Sequence, residues 1–205
     1  MIQIAIVGHR PDKLWGYKVF GESQREIIGP YNFLYEEIRK QLKNIIMEHS
    51  LESIAIISGM DIGVQQLGML AAVNIVQDKT IEPRIRRMIK TIAMLPCANC
   101  EIKWPNSVRK VYYEILKKVD FIKGSKISYN DFGESVYQIR DDKIINGSDI
   151  VIGVYNNVEN TRTLHALRYA AIKGKKIIRI HPNRIKNKAE NNFKVIMSDL
   201  PELEF

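Results

Sequence analysis

Short apolar runs alternate along the chain with longer amphipathic segments. The apolar runs are rich in Ile and Val and almost continuous, which is typical of strands buried on both faces of a parallel sheet. We predict six such strands, at residues 2–8, 53–58, 90–96, 119–125, 149–155 and 175–181.

The segments between these runs place apolar residues at helical spacing. We predict helices at residues 30–50, 61–78, 106–119, 134–148 and 161–174. Alternating strands and helices predict one α/β domain with an open, doubly wound, mostly parallel sheet flanked by helices. The pattern weakens beyond Pro182, so we predict a domain over 1–182 and a C-terminal extension over 183–205.

The composition fits a soluble protein, because 45% of the 205 residues are hydrophobic and 26% are charged. No apolar run approaches the roughly 20 residues of a membrane span, so no membrane partner is expected. The N-terminus enters a strand without a basic region before it, and we therefore expect no signal peptide and a cytoplasmic location.

The net charge of +8 is concentrated in residues 173–188, which hold seven basic side chains and no acidic one. This segment is either a patch for nucleic acid or phosphate or a solvated surface. Aromatic residues do not alternate with the charges, which modestly favours a solvated surface. Cys97 and Cys100 are a redox pair, zinc ligands, a disulfide or free thiols, and their context favours free thiols.

In open parallel sheets, ligands bind at the carboxyl ends of the strands, near the point where strand order reverses. The loop after the first strand offers Gly8, His9 and Arg10. Gly8 allows close backbone approach to a ligand, and Arg10 can fork onto a phosphate. We expect this rim of the sheet to be an electropositive hollow shaped for a sugar-phosphate group.

The loop after the second strand leads directly into a helix, where free N–H groups and the helix dipole favour anions. Its candidate ligand-binding residues are Ser58, Gly59, Met60, Asp61 and Gly63. Capping of the helix is the favoured role of Asp61, and acceptance of a ribose hydroxyl is the alternative.

The loop after the fifth strand, from Asn156 to Thr163, contains no glycine. Thr161, Arg162 and Thr163 offer two hydroxyls and a guanidinium that can replace backbone recognition of a phosphate. The equally weighted alternative is that Asn160 or Thr161 only caps the helix and Arg162 is solvated.

Further candidate ligand-binding residues are Tyr17, Pro96, Arg140, Tyr155 and Asn156. Tyr155 ends a strand, so it is the preferred residue for stacking on an adenine, whereas Trp104 is expected to pack between a loop and a helix. No Ser–His–Asp set, carboxylate pair, metal motif, Walker pattern or GxGxxG fingerprint is recognisable.

Several of these segments together resemble a known family over about residues 2–182. They read GHRPDKLWGY, ISGMDIGVQQLGMLAA, PCANCEIKW, IRDDKIINGSDIVIGVYNN and LRYAAIKGKKIIRIHP. The chain resembles the SLOG superfamily, and within it the YpsA-type branch. The resemblance implies a Rossmann-like fold, a nucleotide-type pocket and a homo-oligomer. Related SLOG domains bind ADP-ribose-like signals in antiphage defence, LOG enzymes hydrolyse nucleoside monophosphates, and DprA-like members bind single-stranded DNA.

The chain departs from this pattern at the positions that matter for catalysis. Thr161-Arg162-Thr163 replaces the usual Gly-Gly-Thr, Gln65 replaces an Asp, and Ala166 stands where LOG enzymes need a glutamate. We therefore expect a protein without obvious turnover and without a cofactor. The leading hypothesis is a phage or bacterial receptor or sequestering protein that binds an ADP-ribose, NAD-derived or nucleoside phosphate ligand in antiphage-defence signalling.

Two alternative functions stay open. The first is a nucleoside 5′-monophosphate phosphoribohydrolase or other N-glycosidase, which would need a carboxylate from Asp61, Glu101 or Asp142. The second is DprA-like binding of nucleic acid through the basic residues 173–188.

Overall fold

The computed structural model describes residues 1–16, 29–124, 133 and 135–185. The strands are β1 (Ile2–Gly8), β2 (Ile54–Ser58), β3 (Ile89–Leu95), β4 (Phe121–Gly124), β5 (Ile150–Val154) and β6 (Lys176–Ile180). The helices are α1 (Pro30–Glu48), α2 (Val64–Gln77), α3 (Pro83–Met88), α4 (Asn106–Leu116), α5 (Ser135–Gly147) and α6 (Arg162–Ile172). All the predicted strands and helices are present, and α3 is an addition.

The strands form one sheet in the order β4-β3-β2-β1-β5-β6, and every neighbouring pair is parallel. The central strand is β1, where Ile4 pairs with Ile56 of β2 on one side and with Ile150 of β5 on the other. The prediction of burial on both faces is wrong for β4, because all four of its residues are exposed. This strand lies at the edge of the sheet, where only β3 pairs with it.

Two apolar cores lie on opposite faces of the sheet, as a doubly wound fold requires. Alternate residues of β1 point to each face, so Ile4 and Ile6 join one core whereas Ala5 and Val7 join the other. Side chains of α1 to α4 fill the first core, and side chains of α5 and α6 fill the second. The predicted fold class is therefore confirmed.

The C-terminal boundary of the domain stays a prediction, because the description of the structure ends at residue 185. The described residues contain no helix that is both long and apolar enough to cross a membrane.

The strand order reverses at β1, since β2 to β4 lie on one side of it and β5 and β6 on the other. Helix α1, which follows β1, packs on one face of the sheet, and helix α6, which follows β5, packs on the opposite face. The two connections diverge and leave a crevice beyond the carboxyl ends of β1 and β5, which is the usual position of a ligand in such folds.

Candidate functional site

A cavity of about 180 Å³ lies in this crevice. We call it the switch-point pocket. Its walls come from the end of β1, the turn after it, the start of α2, one residue of α5 and the N-terminus of α6. The lining residues are Val7, Gly8, His9, Arg10, Asp12, Lys13, Asp61, Gln65, Asp141, Asn160, Thr161, Arg162, Thr163 and Ala166. Pockets that hold drug-sized ligands have volumes of roughly 300–1,000 Å³, so this smaller pocket suits part of a nucleotide rather than a whole dinucleotide.

An internal ion cluster crosses the pocket and is centred on Asp61, of which only 5% is exposed. One carboxylate oxygen, Oδ2, lies 2.5 Å from Nη2 of Arg162. The other oxygen, Oδ1, lies 3.8 Å from Nε of Arg10 and accepts the N–H of Ile62 at 3.0 Å. The Asp61 carboxylate therefore occupies the position between two arginines that an anionic ligand would be expected to take.

This arrangement corrects two predictions. Asp61 does not cap α2, because the helix begins at Val64 and Gly63 is its N-cap, with a φ of 96° that favours glycine. The pocket is also not simply electropositive, because its lining holds as many carboxylates as cations. The cations are Arg10, Lys13 and Arg162, and the carboxylates are Asp12, Asp61 and Asp141.

A second buried ion pair lies behind the pocket on α5. Arg140 is 3% exposed, and its Nε is 2.7 Å from Oδ1 of Asp141. Its Nη1 donates to the carbonyl of Gly59, and a Cβ on Gly59 would collide with this guanidinium. Arg140, a candidate ligand-binding residue, does not line the switch-point pocket and supports the turn between β2 and α2, so its contact with a ligand stays a prediction.

Asp141 itself lines the switch-point pocket. Its neighbours Arg140 and Asp142 were predicted as candidates, but Asp141 was not. Burial raises the pKa of Asp141 above its ordinary value, and the Asp61 carboxylate adds to the increase. The guanidinium groups of Arg140 and Arg162 oppose this shift but do not outweigh burial. A buried carboxyl group with a raised pKa is a feature of many catalytic sites.

The turn from Ser58 to Gly63 is held by hydrogen bonds within the protein. The Ser58 hydroxyl donates to the carbonyl of Gln65 at 2.7 Å and accepts the N–H of Met60 at 3.2 Å. The side-chain oxygen of Gln65 accepts the N–H of Asp61 at 3.1 Å. Ser58 and Met60 therefore fix the position of Asp61 in this structure. Their contact with a ligand stays a prediction.

The glycine-free loop before α6 has asparagines at two positions where the backbone φ is positive. Asn157 and Asn160 have φ values of 69° and 52°, in the left-handed region that asparagine tolerates better than most residues. Thr161 caps α6, because its Oγ1 accepts the N–H of Leu164 at 3.2 Å. The capping alternative is therefore confirmed for Thr161, whereas Arg162 is ion-paired with Asp61 rather than solvated. Thr163 is buried and lines the pocket.

His9 and Tyr155 form a buried aromatic pair at the ends of β1 and β5, with ring centroids 5.3 Å apart. Burial lowers the pKa of His9. The guanidinium of Arg179 lies 5.0 Å from the centre of the Tyr155 ring, and only 7% of Tyr155 is exposed. In this structure Arg179 covers a face of the Tyr155 ring, so stacking of Tyr155 on an adenine would require Arg179 to move, and this role of Tyr155 stays a prediction. Asn156 joins the two loops by donating to the carbonyl of Lys13 at 2.7 Å.

The remaining candidates lie elsewhere. Pro96 lines a separate cavity, and Tyr17 falls outside the described residues. Trp104 packs edge-on against Tyr112 in the core, as predicted. Cys97 and Cys100 are free thiols, and burial raises the pKa of Cys100 to about 12, which makes it a poor nucleophile at neutral pH.

Two other expectations concern charged groups outside the pocket. Glu101 accepts a hydrogen bond from the Tyr113 hydroxyl at 2.6 Å, and it does not line the switch-point pocket. In the basic segment, most of the described cations have partners within the chain: Lys173 lies over Tyr169, Lys175 donates to Asn146, Lys176 pairs with Glu48, and Arg179 donates to Asn157. These contacts weaken the case for a nucleic-acid patch, which stays a prediction.

A parallel sheet with a charged pocket at its switch point defines a Rossmann-like α/β protein with a candidate ligand site at the strand ends. Residues 4–185 match the model of the YspA SLOG family, so the chain belongs to this family. No curated protein matches the chain significantly.

Two solved structures are similar to the chain at low sequence identity. The DNA processing protein A (DprA) of Streptococcus pneumoniae is similar with a TM-score of 0.51 and 15% identity, covering 100% of this chain but 62% of that one. TM1055, a structural genomics target, has a TM-score of 0.46 and 12% identity, with 86% of this chain and 72% of that one covered. The chain thus spans less than two thirds of DprA, and the likeness concerns the fold alone.

Proposed function

We propose that the protein binds a nucleotide-derived small molecule in the switch-point pocket, through the sugar-phosphate part of the ligand and without obvious turnover. One observation carries this proposal: Arg10 and Arg162 converge on a single internal carboxylate, Asp61, at the crevice where this fold binds ligands. Two arginines around one acidic group form a site whose natural occupant is an anion.

The position of Arg162 supports a phosphate as that anion. Arg162 is the first residue of α6, so its guanidinium and the positive end of the helix dipole act at the same place. A phosphate that entered between the arginines would replace Asp61 as their partner. The released carboxylate, together with Asp141 in the same pocket, can then accept hydrogen bonds from sugar hydroxyls.

We expect no turnover because α6 lacks a carboxylate at the position where a related enzyme would need one. Ala166 lines the pocket at the position where the resemblance to LOG enzymes would require a glutamate. We favour nucleoside phosphates, ADP-ribose and NAD-derived molecules as ligands. A role as receptor or sequestering protein in antiphage defence rests on the resemblance to SLOG domains, as does the expectation of a homo-oligomer.

The proposal is tested by calorimetric titration of the protein with AMP, ADP-ribose, NAD and ribose 5-phosphate, with adenosine as the ligand that lacks phosphate. We expect saturable binding of at least one phosphate-bearing compound and none of adenosine. Arg162→Met should abolish this binding, whereas Arg168→Met, an exposed arginine on the same helix, should leave it intact. Equal binding by both variants, or no binding of any compound to the wild type, would refute the proposal.

A second candidate function, base-releasing hydrolysis, is favoured by one observation. Asp141 is a buried carboxyl group with a raised pKa in the wall of the pocket. In its protonated form, such a group can donate a proton to a departing base. Chromatography of an incubation with AMP decides between the functions, because this candidate requires free adenine from the wild type and none from Asp141→Asn.

A further inference from the structure

A second cavity, of about 190 Å³, lies at the same edge of the sheet, beyond the carboxyl ends of β3 and β4. We call it the β3–β4 cavity. Its other wall is one face of α5. The lining residues are Met94, Leu95, Pro96, Lys123, Gly124, Val136, Ile139, Arg140 and Lys143. Among the described residues, this lining contains three cations and no acidic side chain, whereas the switch-point pocket has equal numbers of both.

The excess positive charge comes from the two lysines. Arg140 is paired with Asp141, so most of its charge is offset inside the protein. Lys123 is the next-to-last residue of β4 and Lys143 lies on α5, and within the described part of the chain neither has an ion-pair partner. Behind them, Nη2 of Arg140 is buried and donates no hydrogen bond to any of the described residues.

The shape of the cavity follows from its two walls. Val136, Ile139, Arg140 and Lys143 are spaced three and four residues apart, so they share one face of α5. Opposite them, Leu95 pairs in register with Gly124 at the ends of β3 and β4. Among the described residues, no atom lies within 4 Å of the place where a Cβ of Gly124 would stand.

We propose that the β3–β4 cavity is a second anion site, which takes a phosphate ester that carries an apolar or planar group. The ammonium groups of Lys123 and Lys143, which have no ion-pair partner among the described residues, attract a phosphate dianion at a partly enclosed surface. The side chains of Met94, Pro96, Val136 and Ile139 form the apolar part of the wall and accommodate the ester group. This site is separate from the switch-point pocket, because the described linings of the two cavities share no residue: Arg140 lines one and Asp141 lines the other.

Phenyl phosphate is the probe for this site. The comparison compounds are inorganic phosphate, which lacks the aromatic group, and benzyl alcohol, which lacks the phosphate. Binding is measured by calorimetry at low salt in the Arg162→Met background, so that the switch-point pocket does not contribute. We expect saturable binding of phenyl phosphate, weaker binding of inorganic phosphate and no binding of benzyl alcohol. The double variant Lys123→Ala/Lys143→Ala should lose about tenfold or more in affinity.

The matched control is Lys110→Ala/Lys118→Ala, which removes the same charge from exposed positions outside the cavity. It should retain the affinity of the parent within about twofold, which separates a local site from general attraction to a basic protein. Because Lys123 and Lys143 are exposed, their variant should unfold at the same temperature as the parent. Equal loss of affinity in both double variants, or no saturable binding to the parent, would overturn the proposal.

Discussion

Replacing Asp61 by Asn should have two effects of opposite sign. The change keeps an oxygen that can accept the N–H of Ile62 but removes the charge that holds Arg10 and Arg162. The protein should therefore become less stable. Its affinity for a phosphate-bearing ligand should rise, because the two arginines no longer have an internal carboxylate as a competing partner.

The magnitude follows from the geometry of the pair. Asp61 is 5% exposed and its contact with Arg162 is 2.5 Å, which places this interaction among charge-assisted hydrogen bonds worth about 1.5–3 kcal/mol. The side chain of Arg162 is 31% exposed, so solvent compensates part of the loss and the lower half of this range applies. For a chain of this size, a loss of about 2 kcal/mol lowers the melting temperature by roughly 4–8 °C.

The assay compares wild type, Asp61→Asn and the control Asp12→Asn in thermal unfolding and in calorimetric titration with ribose 5-phosphate. Asp12 lines the same pocket, but its carboxylate pairs with Lys13 at 3.6 Å and is 43% exposed. We expect Asp61→Asn to bind at least about fivefold more tightly, which corresponds to roughly 1 kcal/mol. If Asp61→Asn binds ribose 5-phosphate more weakly than both the wild type and Asp12→Asn, the release of the two arginines does not outweigh the loss of a charged acceptor for the sugar hydroxyls, and the reasoning fails.

Three further predictions concern stability. Burial lowers the pKa of His9, so its contribution to stability is fully present above about pH 6.5 and is lost as the pH falls through the folded-state pKa. The free energy of unfolding, measured by urea denaturation, should therefore fall between pH 7 and pH 5, and His9→Gln should reduce this slope by up to about 1.4 kcal/mol per pH unit. Gly8→Ala places a Cβ 2.4 Å from Cγ1 of Val64 and should cost about 1–3 kcal/mol in the free energy of unfolding, whereas a Cβ at Gly147 meets nothing closer than 3.6 Å and Gly147→Ala should be tolerated. Thr161→Val removes the cap of α6 and should cost about 1 kcal/mol by the same measurement; no loss would show that the Thr161–Leu164 hydrogen bond is unimportant.

The fold could be predicted because its signals are local. Continuous Ile- and Val-rich runs indicate buried parallel strands, and the helices begin and end close to the predicted residues. The exposure of β4 could not be predicted, because it depends on the place of the strand in the sheet order rather than on its own residues. The short helix α3 begins at Pro83, which is a recognisable first-turn residue, but six residues are too few for a clear periodicity.

The candidate site was located from the sequence, but its internal contacts were not. The strand-end rule places Gly8, Arg10 and Arg162 at one edge of the sheet, and the structure brings them into one pocket. The ion pair between Arg162 and Asp61 joins residues 101 positions apart, so no local pattern reveals it. One missed signal was local: asparagines at Asn157 and Asn160 can replace glycine where a loop needs a positive φ.

The balance of charge in the pocket bears on which ligand it selects. Inorganic phosphate entering between Arg10 and Arg162 must displace the Asp61 carboxylate, which then lies in a partly buried site without its cations. A sugar phosphate displaces the same carboxylate but also brings hydroxyl groups, which can donate hydrogen bonds to Asp61 or to Asp141. The internal carboxylates therefore lower the affinity for inorganic anions and favour ligands that combine a phosphate with a polyhydroxylated ring. The same reasoning requires ribose 5-phosphate to bind more tightly than inorganic phosphate to the wild type, and requires this preference to shrink in Asp61→Asn.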